Sequence, residues 1–474
     1  MAHYKMYIDG KWEDSTVVKP VYEKYTGEQY ATYAESTPED VDRAVAAAKE
    51  SFKKEALTPT QRHDILMRAA EILKEMQEEI AQSICHEAGR TIEDSRYEVL
   101  RAVGSFQLAA EEGRRIAGEM IPAEGVAGDE DKMCFTVRKP IGVVAAIMPF
   151  NVPLVLTVNK IAPALAAGNT VVLKPTKDCP GHAVLLVEAL LKAGLPKNHI
   201  QLLIGSGSTV GEALLKNQDV ACYCFTGSLE MGTHVRNSVG LRRCMMDLGN
   251  NGGVIIHKDV DVKDVAVTCA ATGFTNAGQL CIKPQRLYVH EDIFDEFVQV
   301  MKEYAESVVV GDPADEKTAI GPMISEEEVE RIDSWVKEAK EGGATVICGG
   351  EKIGTRVYKP TILTNVTKDM KVVSNEAFAP LVVAIPYTDF DDAIDQLNDS
   401  KYGLHAAAFT NDFNLALKAT QKIEAGGVII NGSPYTHIPV MPFGGIKNSG
   451  VGKEGPRYCI EEMTDVKTIV YYMK

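Results

Sequence analysis

In the stretch "FTNAGQLCIKPQR", Cys281 stands at the end of a glycine- and amide-containing turn, where a thiol can act as a nucleophile if suitable groups are brought to it. Three other stretches carry such groups. "PFNVPL" sets Asn151 between prolines at the end of an apolar run, so that its side-chain amide can be held rigidly as a donor to an oxyanion. "MMDLGNNGG" places Asp247 ahead of a glycine-containing turn, where it reads either as a general base or as an ordinary turn carboxylate. "SNEAFAP" offers Glu376 and Phe378, a carboxylate with an aromatic ring close behind, or else a solvated acidic loop.

Glycine-bearing turns raise the question of a nucleotide. "GSGSTVG" has Gly205, Gly207 and Gly211 out of step with G-x-G-x-x-G, and reads equally as a tight strand-to-helix turn. "FTGSLEMG" is more informative, because Gly227, Ser228 and Gly232 fall between an apolar run and a helix whose first N–H groups can receive a diphosphate. Lys174 in "KPTKDCP" follows another run, at the kind of strand end where open parallel sheets bind ligands.

These residues need a framework. Near the N-terminus Thr37, Pro38 and Asp40 make a capping box for an amphipathic helix, and a second helix runs from Ile65 through Ile80 with Gly89 placed to end it. From residue 141, "IGVVAAIM", "NTVVLKP", "IQLLIG" and "VACYCF" alternate with helices, which predicts a parallel, doubly wound sheet. After about residue 250 a second set of runs, including "RLYVH", "ATVICGG", "HAAAFT" and "GGVIIN", alternates with charged helices such as 326–341 and predicts a second α/β lobe.

With 474 residues, 45% hydrophobic and 24% charged, the chain can bury large cores in two or three lobes. A net charge of −16 without a basic cluster argues against nucleic acid or an anionic bilayer as partner, leaving small molecules and further copies of the chain. The N-terminus lacks a signal pattern and no apolar run reaches the ~18 residues of a membrane span, so the expected location is the cytoplasm. The spacing of the ten cysteines suits neither a disulfide framework nor a metal site.

Taken in order, "PFNVPL", "KPTKDCP", "FTGSLEMG", "MDLGNNGG", "GQLC", "NEAFAP" and "MPFGGIKNSG" resemble the NAD(P)-dependent aldehyde dehydrogenase superfamily over essentially the whole chain. The resemblance implies a Rossmann-like cofactor domain (1–118 and 141–247), an α/β catalytic domain (248–440) and a small β arm (119–140 and 459–474) that joins copies into dimers or tetramers. It further implies Cys281 as nucleophile, Asn151 as oxyanion donor, Lys174 and Glu376 as ribose ligands, and Gly227 and Ser228 as diphosphate ligands. Pro149, Phe150, Gly211, Leu248 and Phe378 are further implied cofactor contacts. The thiolate, favoured by a helix N-terminus, would attack an aldehyde carbon and pass through a thiohemiacetal to a thioester.

The sequence also departs from that pattern. Hydrolytic members carry glutamate where Asp247 stands, and coenzyme-A-acylating members lack it, so hydrolysis is favoured with acyl transfer to coenzyme A, or a binding protein without turnover, as alternatives. Lys177 replaces an acidic residue common in NAD-preferring members and would attract a 2′-phosphate, which favours NADP over NAD. Arg114 or Arg115 falls in a segment that resembles the one semialdehyde-oxidising relatives use against a substrate carboxylate. Thr275 replaces their second arginine at the substrate site, so the expected substrate is a small polar or anionic aldehyde.

Overall fold

The computed structural model describes residues 1–473; Lys474, the last residue of the expected arm, lies outside the described residues. Five parallel strands form the centre of the first sheet: β1 (Val143–Ile147), β2 (Thr170–Lys174), β3 (Ile200–Leu202), β4 (Val220–Thr226) and β5 (Arg243–Asp247). Their spatial order is β5-β4-β1-β2-β3, so successive strands run outward on one side of β1 and then on the other. A crevice must open between β1 and β4, where the chain changes direction, and ligands of such sheets bind there. The sheet ends in antiparallel edges, Gly450–Val451 beside β5 and the hairpin strands Met6–Ile8 and Lys11–Glu13 beside β3.

Burial explains the near-continuous apolar runs. β1 and β2 are covered on both faces, by Pro153–Ala167 on the side of Val144, Val171 and Leu173 and by Pro38–Lys54 on the side of Val143, Ala145 and Val172, and all six are buried. The predicted capping box is present, with Thr37 accepting from the Asp40 N–H at the start of Pro38–Lys54. The second predicted helix is in fact two, Pro59–Glu75 and Gln77–Ala88, broken at Met76. Leu66 and Leu73 of the first and Ile80 and Ile84 of the second all reach one core. Gly89, at φ 73°, ends the second helix as predicted.

The second sheet has seven strands, ordered Thr345–Cys348, Thr361–Thr364, Leu381–Tyr387, Arg286–His290, Gly253–Ile256, His405–Phe409 and Gly427–Ile430. All pair in parallel except the first, an antiparallel edge. A third, small sheet pairs Thr464–Tyr472 with Lys132–Pro140, and Met120–Ile121 with the other edge of that strand. The expected arm started earlier, at 459. The helix Pro456–Glu462 and Met463 instead place Cys459, Ile460 and Met463 in the first core, so the arm strand starts at Thr464. Among the described residues no helix is long and apolar enough to cross a membrane.

Candidate active site

The helix Val262–Phe274 ends before an unusual turn, in which Asn276 (φ 55°), Ala277 (φ 52°) and Gly278 (φ 67°) are left-handed in succession. Asn and Gly tolerate that conformation; Ala277 does not, and holds it at a cost of roughly 1–3 kcal/mol supplied by its surroundings. Asn276 Nδ2 donates to the Asn151 carbonyl (2.9 Å), Gln279 Nε2 donates to the Asn276 carbonyl (3.1 Å), and the Ile324 N–H donates to Gln279 Oε1 (2.9 Å). A methyl group on Gly278 would strike the Ala379 carbonyl, so the turn lies flush against the segment that follows Phe378. The reversal delivers Cys281 to the crevice beyond β1.

Cys281 and Asn151 line the same cavity of about 1130 Å³. Asn151 Nδ2 donates one of its two N–H bonds to the Gln279 carbonyl (2.9 Å), which fixes the amide plane and leaves the other for an oxyanion. Cys281 lies in a turn, as its sequence reads, and desolvation of its sulfur, then the charges of Glu376, Asp247 and Glu454, push its pKa well up. It rests as a thiol whose proton must leave during attack. Of the ten cysteines only Cys281 and Cys134 are not buried.

Asp247, at the end of β5, lies on the cavity wall but is tied from behind. The Lys160 ammonium, wholly buried, contacts both Asp247 and Glu454. One cation faces two carboxylates, so one of them keeps a proton. Burial and the Glu454 charge push Asp247 well above the carboxylate range, while, against its own burial, Glu454 is held low by Lys160. Lys160 was missed in the sequence, although it is the one charged residue of the apolar helix Pro153–Ala167.

Pro149, Phe150, Lys177, Gly227, Ser228, Leu248, Glu376 and Phe378 also line the cavity. Ser228 caps Leu229–Val239, whose N-terminus opens at the crevice, and Gly232 lets that helix pack on Leu248. The Asn250 N–H donates to Glu376 (2.9 Å), and burial pushes this carboxyl up to about 7. Phe378, left-handed at φ 45°, sets its ring edge-on to Phe150 at 6.1 Å. A helix N-terminus for phosphate, an acceptor for ribose hydroxyls and an aromatic wall, in a cavity of this size, fit a nicotinamide dinucleotide.

Two expected contacts lie off that wall. Lys174 is buried behind it, donating to the Pro175 carbonyl (3.2 Å), with burial pulling its pKa down to about 8. Gly211 is buried in the turn Gly207–Gly211. The expected substrate arginines are also corrected. Arg114 is exposed at its helix end, and Arg115 is exposed and paired with Glu111 and Glu112 (3.3 and 2.9 Å). Thr275 donates to the Ala271 carbonyl (2.8 Å) and does not line the cavity.

Arg101, on the same helix Ile92–Gly113, donates from Nη2 to His437 Nδ1 (3.1 Å), and neither residue is among those lining the cavity. Burial, then the Arg101 charge, pulls His437 down to about 4, so it is neutral and accepts. Its ring lies edge-on to Phe443 at 5.1 Å, and Phe443 belongs to the apolar cluster against which Cys281, Tyr435 and Met441 pack. The pair is separated by 336 residues and carries no local motif, which is why sequence reading passed over it.

The aldehyde dehydrogenase family model matches residues 12–469, and the chain belongs to that family. It is an NAD(P)-dependent oxidoreductase. The 3-sulfolactaldehyde dehydrogenase of Priestia megaterium is 48% identical over 470 residues, covering 99% of this chain and 98% of the relative. Aldehyde dehydrogenase 21 from Physcomitrella patens, solved with the reaction product succinate, superposes with a TM-score of 0.96 at 34% identity, covering 100% of this chain and 98% of that one. Glyceraldehyde-3-phosphate dehydrogenase GapN from Methanocaldococcus jannaschii, complexed with NADP, gives a TM-score of 0.91 at 36% identity, with 96% and 98% covered.

Proposed function

We propose that this protein oxidises a small aldehyde carrying an anionic group to the corresponding acid, through a Cys281 thiohemiacetal and thioester, with NADP preferred and NAD accepted. The carrying observation is that Cys281 and the fixed Asn151 amide share one cavity with a dinucleotide-shaped wall. Bound NAD(P) supplies the two-electron acceptor. Asn151 donates to the alkoxide formed as sulfur attacks the carbonyl carbon, and Asp247, once ionised, draws a proton from the water that releases the acid. Glu376 holds ribose hydroxyls and the Leu229–Val239 N-terminus receives phosphate.

The substrate's anionic end is assigned to Arg101, with His437 fixing the guanidinium, because a planar fork suits carboxylate, sulfonate or phosphate alike. Relatives named for sulfolactaldehyde, and one solved with succinate, support an acidic substrate. Lys177 on the cavity wall supports NADP, as does a neighbour complexed with it. Ten free cysteines suit the reducing cytoplasm.

The test follows reduced-cofactor absorbance with 3-sulfolactaldehyde, succinate semialdehyde and an uncharged aldehyde of equal length, with and without coenzyme A. Steady turnover without coenzyme A is expected, lost in Cys281→Ala, and Arg101→Met should raise KM for the anionic aldehydes at least tenfold while leaving the uncharged one unchanged. A single burst relieved only by coenzyme A would instead assign acyl transfer to that thiol. Full-rate oxidation by Cys281→Ala would end the reading.

A further inference from the structure

The helix Pro153–Ala167 follows directly on Asn151, yet its N-cap, Val152, has no side chain that can accept from the first N–H groups. Orphan donors buried at a helix start need an acceptor from elsewhere. Glu98, from the neighbouring helix Ile92–Gly113, provides it: Oε1 accepts from the N–H of Leu154 (2.7 Å) and Val155 (3.2 Å). Its other oxygen faces Arg90 Nε at 3.0 Å, a charge contact without aligned hydrogen-bond geometry. Arg90 then turns to the oxyanion donor itself, Nη1 donating to the Asn151 carbonyl at 3.0 Å.

Both members are almost fully buried, Arg90 at 5% and Glu98 at 1% exposure. A buried ion pair is a poor source of stability, because desolvation offsets its attraction, and its best-attested service is to fix one arrangement among several. Here the arrangement concerns a single residue. The Asn151 carbonyl accepts from both Arg90 and Asn276, its amide donates to the Gln279 carbonyl, and the helix that follows is capped by the partner of Arg90. Asn151 is thus held on either side of its own backbone, which leaves the free amide N–H one direction.

We infer that Arg90 and Glu98 are positioning residues for the oxyanion donor, acting on the rate of thiohemiacetal formation and oxidation through the backbone of Asn151 and not on cofactor affinity. This rests on the proposed role of Asn151. Removing an oxyanion donor typically costs 10²–10³ in rate, so loosening one should cost part of that, about 10- to 100-fold.

The experiment uses Glu98→Gln, which keeps an acceptor for the helix N–H groups and removes the charge, and Arg90→Lys, which keeps the charge and removes the fork. Each is made alone and with Asn151→Ala. The burst rate of reduced cofactor should fall about 10- to 100-fold in each single variant, while nucleotide affinity, read by quenching of Trp335 fluorescence at the cavity wall, stays within about twofold. In the Asn151→Ala background the same substitutions should change the burst rate less than about twofold. Losses that multiply with Asn151→Ala, an unchanged burst rate, or nucleotide affinity that falls in step with rate would each overturn the inference. If one variant does not fold, the other decides. Should the parent oxidise no aldehyde, the proposed function falls, and the crystal structure of Glu98→Gln then judges the pair alone: an Asn151 amide still bonded to Gln279 overturns it.

Discussion

Lys160 determines which of two buried carboxylates carries a proton. Asp247 keeps it at rest because its pKa lies well above the ordinary range, and the ionised form, to which we assign water activation, is present only above that raised pKa and is lost as pH falls through it. Acyl release should therefore accelerate toward alkaline pH, with a midpoint well above that of a free aspartate, measured as kcat under saturating aldehyde. Lys160→Met, which leaves Asp247 and Glu454 facing each other without a cation, should move that midpoint further up and slow release; an unmoved profile would remove Asp247 from the step. Asp247→Glu, longer by a methylene, should speed release several-fold. At this scale the sequence was legible where chemistry is local: Cys281, Asn151 and Glu376 stood out by their motifs, and all three line one cavity. It was silent on Lys160 with Glu454 and on Arg101 with His437, because those pairings form only when distant segments pack.

The turn Asn276–Gly278 is the element on which delivery of the thiol depends. Gly278→Ala adds a methyl where the Ala379 carbonyl already sits, at a φ of 67° that disfavours any side chain. The strain, roughly 1–3 kcal/mol, should appear as a lower melting temperature, and displacement of Cys281 should lower kcat at least tenfold. A variant with parental melting and rate would show the contact to be slack. Elements whose causes are local were readable: the Thr37 capping box, the Glu326–Glu341 helix and the strand runs all stand where periodicity put them. The left-handed Ala277 was not, since nothing in an alanine announces it; packing alone imposes the conformation. The break at Met76 likewise has no Gly or Pro to mark it, and follows from two helix segments sharing one core.

Across the whole molecule, the cavity where the order of the first sheet reverses is lined from both lobes, by Pro149, Asn151, Gly227 and Ser228 of the first and by Cys281, Glu376 and Phe378 of the second. The small sheet stands apart from both, and its last strand leaves Val466, Val470, Tyr471 and Tyr472 about half or more exposed (56, 47, 55 and 67%). We propose that this surface makes contact between copies of the chain. Truncation after Met463 should lower the mass found by light scattering to that of the single chain while leaving the first core folded; an unchanged mass would place the contact elsewhere.

Because eight of the ten thiols are walled in, the folded chain presents a chemical modifier with only two targets, one on the cavity wall and one on the small sheet. Replacing Cys134 by serine leaves a single alkylatable sulfur per chain, and the stoichiometry of labelling then counts competent sites directly. The same tag reports occupancy, since anything that fills the crevice shields it.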